Sequence, residues 1–300
     1  PPSPRARERS PVNNDHFRDE CGVVGVWGHS EAATLCHLGL HALQHRGQEG
    51  AGIVASDGAD LRGHRGRGLV ADVFGRPDRI SNLQGDRAIG HVRYSTAGTS
   101  DLRNVQPLQV EFAGHKIAIA HNGNLVNARA LKNELEEDGA IFHATSDTEI
   151  IVHLIARSRQ KSFVNKVVDA LGKVLGAWSL LFLTPDCMVA ARDPMGFRPL
   201  VLGRTPDGAW VVASETCALD LIEATYERDV EPGELVIIDA MGLTSFHPFP
   251  ESPRAQCVFE YLYFARPDTR LWERDVYGVR LRLGDRLAVE QPADVDMVIP

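Results

Sequence analysis

The feature that most constrains this chain is an abrupt change of character at Cys21. Residues 1–20 (PPSPRARERSPVNNDHFRDE) carry four prolines, many charges and little to bury. Such a stretch does not offset its own ordering entropy, so the reading is a disordered leader. CGVVGVWG (21–28) then runs without a charge and reads as a buried strand. On the residues alone two accounts of the junction stand: a ragged terminus, or a pro-segment whose removal makes Cys21 a new N-terminus.

Downstream the pattern is α plus β throughout. Ser30 is placed to cap a helix running to about Gln44, with Leu35, Leu38 and Ala42 on its apolar side. Strands are expected at 50–56, 86–92, 108–112 and 115–120, and again near 178–183, 187–191, 199–203, 209–213 and 234–238. A helix at 127–138 has Asn127 as its N-cap, and Ser146 with Glu149 forms a capping box for a helix at 147–157. Strands in hairpin-like runs and helices in pairs suit antiparallel sheets layered with helices rather than a repeating βαβ winding. Near the end, Val276, Val279, Leu283 and Leu287 share a helical face within 275–290, and a short strand is expected at 295–299. The chain thus stops where a second domain is expected to begin.

Composition removes several function classes. Lys plus Arg is 32 against 40 Asp plus Glu, a net charge of −8. That balance argues against a general nucleic-acid or anionic-membrane binder. No apolar run approaches the roughly 20 residues of a membrane span, and the first residues have no signal-peptide core. Five sparse cysteines among 300 residues are no disulfide framework, so a reduced, cytoplasmic protein is expected.

Some motifs are discounted. His37, His41 and His45 have metal-ligand spacing, but the H-E-x-x-H pattern is missing, and packed histidines are the simpler reading. Arg62–Gly68 (RGHRGRG) lacks the Lys-Ser/Thr of a phosphate loop and reads as a tight turn. Cys36, Cys187 and Cys217 read as small core residues.

Three segments set hydrogen-bonding residues at the ends of apolar strands: GHVRYSTAG (90–98), AHNGN (120–124) and TSDTE (145–149). Strand ends and the loops beyond them are where sites are built. Arg93 offers a planar fork for a carboxylate, and Asp147 a countercharge for an ammonium group. Asn122 and Gly123 offer a side-chain amide and a backbone N–H to a developing oxyanion. Together they fit an amino-acid substrate. Singly each fits a turn, Asn-Gly being a common hairpin turn.

With Cys21 they carry a resemblance. CGVVGVWG, LQHRGQEGAG (43–52), GHVRYSTAG, HNGNLVN (121–127) and SDTE (146–149) resemble, in that order, the glutaminase domain of the class II glutamine amidotransferases. These are N-terminal-nucleophile hydrolases built as a four-layer αββα sandwich. RDPMGFRPL (192–200), ASETCALD (213–220), EPGEL (231–235) and CVFEYLYFARPDT (257–269) are similar to the amidophosphoribosyltransferase branch. The resemblance implies an α+β fold over 21–253, followed by the start of an α/β phosphoribosyltransferase domain at 254–300. It implies Cys21 as nucleophile once the Glu20–Cys21 bond is cut, with Asn122 and Gly123 at the oxyanion. Arg93 and Asp147 would hold the α-groups of glutamine, and Tyr94 and Thr96 would belong to a closing loop. Ammonia would pass to phosphoribosyl pyrophosphate, in the first committed step of purine synthesis. The pyrophosphate loop, with its Mg2+, is expected beyond residue 300. The resemblance also implies purine-nucleotide feedback inhibitors and a homo-oligomer, a tetramer. Cys257 is read as one ligand of a [4Fe–4S] cluster, its partners lying farther on, against a core thiol ahead of an aromatic strand. The alternatives are a glutaminase of amino-sugar synthase type and a non-catalytic ligand-binding relative.

Overall fold

The structure, a computed structural model, describes residues 21–94 and 101–297. The leader 1–20, Thr96 and the last part of the strand expected at 295–299 lie outside the described residues. The strands begin β1 (Gly22–Trp27), β2 (Gly50–Ser56), β3 (Leu61–Arg67), β4 (Arg87–Arg93), β5 (Leu108–Phe112) and β6 (His115–Leu125). They continue β7 (Gly176–Leu183), β8 (Cys187–Arg192), β9 (Val201–Arg204), β10 (Trp210–Ala213), β11 (Thr225–Asp229), β12 (Leu235–Asp239) and β13 (Gly242–Phe246). The helices up to there are α1 (Ala32–Ala42), the one-turn α2 (Val70–Val73) and α3 (Asp78–Ser81), α4 (Ala128–Glu137), α5 (Thr148–Arg157), α6 (Phe163–Leu171) and α7 (Thr216–Leu221).

Two antiparallel sheets result, ordered β11-β9-β10-β1-β4-β2-β3 and β13-β12-β8-β7-β6-β5. Their central strands are buried on both faces, and the apolar residues divide by parity. On β1, Val24 and Val26 pack with Cys36 and Leu40 of α1, while Val23 and Trp27 pack with Leu181 and Met188 of the other sheet. On β6, Ile117 and Ile119 face α5 and α6, while Ala118 and Ala120 face the first sheet. Three apolar layers therefore separate four layers of structure, helix–sheet–sheet–helix, the αββα sandwich that the resemblance implies.

Several local expectations are corrected. Ser30 does not cap α1, whose N-cap is Glu31 with no side-chain bond. Asn127 occupies the N-cap of α4 but spends its amide on Lys173 O and Leu175 N of a neighbouring loop. Glu149 does not close a box with Ser146; its carboxylate reaches farther back, to the N–H groups of His143 and Ala144. RGHRGRG is no turn but most of β3, an edge strand whose Gly63 and Gly66 lie close against Val54 and Val73. The aromatic segment after Cys257 is a π-helical turn, Glu260–Phe264, not a strand. Residues 295–297 form no strand.

Beyond the sandwich, Ala265, Leu271 and Val276 make a small cluster of their own. It is closed by a hairpin, β14 (Arg270–Leu271) and β15 (Arg274–Asp275), and followed by α8 (Val276–Glu290). Of the face expected to be apolar on α8, Val276 is buried, whereas Leu283 and Leu287 are 43% and 61% exposed. No helix of the described residues is long and apolar enough to cross a membrane.

Candidate active site

Strand alternation brings the predicted residues into one place. Cys21 shares the parity of Val23, His91 and Arg93 that of Ile89, and Asn122 that of Ala118 and Ala120, so all point into the gap between the sheets. The β1–β4 register pairs Gly22 with Val92, which sets Cys21 beside Arg93. The buried Cys21 thiol lies 3.8 Å from Tyr94 O, to which it donates. Tyr94 itself is exposed.

Asn122 and Gly123 are not a hairpin turn. They lie inside β6, paired with Ser179 and Trp178 of β7. Gly123 has φ 154°, and a Cβ there would sit 2.1 Å from Ala177 O and 2.8 Å from His121 Nε2, so only glycine fits. The side chain of Asn122 is fully buried, and neither its Nδ2 nor its Oδ1 has a hydrogen-bond partner. An amide so placed costs roughly 1–3 kcal/mol unless something meets it.

Arg93 donates through Nη1 to Asn104 O at 3.0 Å, and its buried Nε has no partner. Asp147, N-cap of α5, accepts from Leu125 N at 2.8 Å and lies 3.6 Å from His121 Nδ1. Burial alone would raise its carboxyl, but His121 and the N–H donors outweigh burial and hold it below the usual carboxylate range. His91 Nε2 stands 3.1 Å from the carbonyl of His121 and therefore carries the proton, leaving Nδ1 bare and unpartnered. Burial first, then the charge of Arg93, presses His91 to about 3, so it is neutral at pH 7.

Behind Cys21 stands a second cluster to which the sequence reading gave no role. Arg46 is fully buried in the 3-10 turn Gln44–Arg46. It donates from Nε to Cys21 O (3.0 Å), from Nη1 to Glu215 (2.6 Å) and Glu260 (2.9 Å), and from Nη2 to Glu260 (2.9 Å). Glu215 also accepts from His45, Arg266 N and Thr269 Oγ1. The next residue, Gly47, presses on the backbone of Arg93, where a Cβ would meet atoms at 2.7 Å. A charged residue inside the aromatic run FEYLYF was the available signal, since a buried charge needs a partner. Asn104 and Gln106, which hold Thr145 and Thr148 beside Asp147, carried no such signal.

His37 stacks edge-on against Phe74, and His45 binds Glu215, which accounts for two of the discounted histidines. Cys36 and Cys217 are buried, and burial pushes both thiols up, Cys217 to about 12. Cys187 is half-buried on β8. Cys257 is half-buried ahead of the π-helical turn, and no group of three or more metal-ligating side chains occurs among the described residues. These residues therefore do not make up the four-thiolate set of a cubane cluster.

Residues 91–221 match the glutamine amidotransferase domain family. A chloroplastic amidophosphoribosyltransferase of Glycine max is 54% identical over 287 residues, covering 94% of this chain and 50% of the relative. A solved structure described as the allosteric regulatory enzyme of purine biosynthesis superposes with a TM-score of 0.89 at 48% identity, covering 92% of this chain and 59% of that one. Glutamine phosphoribosylpyrophosphate amidotransferase from B. subtilis, complexed with ADP and GMP, gives 0.88 at 46%, over 92% and 60%. The chain spans about half the length of the curated relatives it matches.

Proposed function

We propose, from the premise that this chain carries a glutamine amidotransferase domain of N-terminal-nucleophile fold, that Cys21 hydrolyses glutamine to release ammonia. The observation that carries this reading is the buried, unpartnered amide of Asn122, set across the inter-sheet gap from Cys21 and Arg93. Such a donor suits a charge that exists only during reaction.

The steps follow from the residues. Cleavage of Glu20–Cys21 frees an α-amine whose ordinary pKa is near 8, able to take the thiol proton as an amide nitrogen is not. The thiolate attacks the δ-carbonyl of glutamine, and the oxyanion is met by Asn122 Nδ2 and the Gly123 N–H. The protonated α-amine returns its proton to the leaving nitrogen, ammonia departs and a thioester remains. Water then releases glutamate and restores Cys21. Arg93 and Asp147 hold the α-carboxylate and α-ammonium, with Tyr94 and Thr96 in the closing loop.

We assign the domain to residues 21–253, with 254–300 the start of a phosphoribosyltransferase domain. In the longer protein ammonia passes to phosphoribosyl pyrophosphate, with Mg2+, giving phosphoribosylamine for purine synthesis. The names of the relatives support this over an amino-sugar acceptor or a non-catalytic role. The B. subtilis complex with ADP and GMP supports purine-nucleotide feedback. A tetramer in a reducing compartment completes the reading, the cytoplasm by composition, although the Glycine max relative is named chloroplastic.

Mass spectrometry of the intact protein with glutaminase assay tests the mechanism: Cys21→Ser is expected to leave no useful hydrolysis. Full activity in protein still carrying residues 1–20 would overturn it. In the [4Fe–4S] proposal Cys257 is one ligand and three thiolates come from elsewhere. Anaerobically prepared full-length protein should then hold about four irons per chain, lost in Cys257→Ser.

A further inference from the structure

The two groups assigned to glutamine's α-carbon come from different layers. Arg93 ends β4 of the first sheet, and Asp147 opens α5 on the far side of the second. A carboxylate and an ammonium on one carbon demand a fixed separation between the groups that bind them. One buried residue spans that separation. Asn104, at the end of the 3-10 turn Leu102–Asn104, is 5% exposed. Its carbonyl accepts from Arg93 Nη1 at 3.0 Å. Its amide makes two bonds to Thr145, accepting from Thr145 N at 2.9 Å and donating to Thr145 Oγ1 at 2.9 Å. Thr145 stands two residues before Asp147.

We propose that Asn104 is a specificity-determining positioning residue, which sets the spacing between Arg93 and Asp147 and so tunes the site to α-amino acids. The inference rests on reading those two residues as the substrate clamps. A side-chain amide suits the task because it carries a donor and an acceptor, matching the hydroxyl and the N–H of Thr145. Aspartate keeps the acceptor for Thr145 N, and the Thr145 hydroxyl can turn to donate to it. Alanine keeps neither bond, yet leaves the backbone carbonyl that holds Arg93.

The test compares Asn104→Ala and Asn104→Asp in the intact, processed enzyme, using glutamine, its desamino analogue 4-carbamoylbutanoate, and alkylation of Cys21 by iodoacetamide. For Asn104→Ala, KM for glutamine should rise about 10-fold, the worth of one or two buried hydrogen bonds, with kcat within about 3-fold. The preference for glutamine over the desamino analogue should fall by about the same factor, because the loosened group is the one that meets the amine. Iodoacetamide has no α-groups, so its rate should stay within about 2-fold, and Asn104→Asp should restore most of the glutamine KM. Should Asn104→Ala not fold, Thr145→Val removes one of the same bonds from the exposed end and is expected to shift KM in the same direction. An unchanged KM, or a glutamine KM and alkylation rate that worsen together, overturns the proposal. Arg93→Lys and Asp147→Asn are measured alongside. If they leave KM unchanged, the clamp reading has failed and takes this inference with it. If they raise KM while Asn104→Ala does not, the inference alone has failed.

Discussion

The two walls around Cys21 are built on opposite terms. On the rear wall, the Arg46 guanidinium meets Glu215, Glu260 and the Cys21 carbonyl, and both carboxylates are shared with further donors. On the front wall, Asn122, the Nε of Arg93, and one ring nitrogen each of His91 and His121 are buried without a partner. A buried ion left unpaired costs several kcal/mol, so a charged scaffold persists only when its members answer one another. Unanswered groups persist where something arrives to meet them, and sites are where local rules are broken. The rear wall is therefore read as the part that fixes the nucleophile, and the front wall as the part that receives the substrate.

The largest effect that would test this contrast is at Asn122. Asn122→Ala should lower kcat for glutamine hydrolysis by about 10²–10³-fold, the usual worth of one oxyanion donor. Its thermal stability should hold or rise, because an unsatisfied buried amide has been removed. A variant that unfolds while the surviving molecules turn over normally would make Asn122 scaffold and erase the distinction between the walls. A smaller effect is expected at the clamps. Arg93→Lys loses the planar fork and Asp147→Asn the countercharge, so KM should rise on the order of 10-fold or more while the nucleophile keeps its rate. Steady-state kinetics with both variants showing a collapsed kcat at unchanged KM would move these residues from binding to chemistry.

Part of the front wall stood out in the sequence, though not His91 and His121, and the rear wall did not, for a physical reason. Asn122, Gly123, Arg93 and Asp147 lie in short polar segments interrupting apolar strands, and period-two alternation places Cys21, Arg93 and Asn122 on facing sides of one gap. Arg46, Glu215 and Glu260 meet across separations of 169 and 214 positions, which no local pattern encodes. Antiparallel sheets layered with helices were readable from strands in hairpin-like runs and helices in pairs, whereas the count of four layers came from the resemblance. Helix caps were the weakest reading. Asn127 and Glu149 have side chains that cap in isolation, yet here they bond to tertiary neighbours instead. Glycine misled in β3, where RGHRGRG forms an edge strand packed closely on Val54 and Val73.

An effect on stability rather than on turnover, nil on the acid side, sharpens the contrast at the rear wall. Burial pushes the Glu215 carboxyl up, but the charge of Arg46 and the hydrogen bonds of His45 and Arg46 pull harder, bringing it from 4.5 to about 2. A carboxyl depressed on folding contributes stability that is fully present above its unfolded value and is lost as pH falls through its folded value. The share of Glu215 should therefore be complete above about 4.5 and gone near 2, worth on the order of 3 kcal/mol for so large a shift. His91 also weakens the fold in acid, from 6.5 down to about 3, because the unfolded chain binds a proton that the folded chain refuses. Since His91 is present in both proteins, subtracting the urea-unfolding curve of Glu215→Gln from that of the parent isolates Glu215. The two should differ most at pH 6–7 and converge as pH approaches 2. Curves that run parallel from pH 7 to pH 2 would mean that Glu215 keeps no depressed carboxyl, and the rear wall would lose its claim to be a paired ionic scaffold.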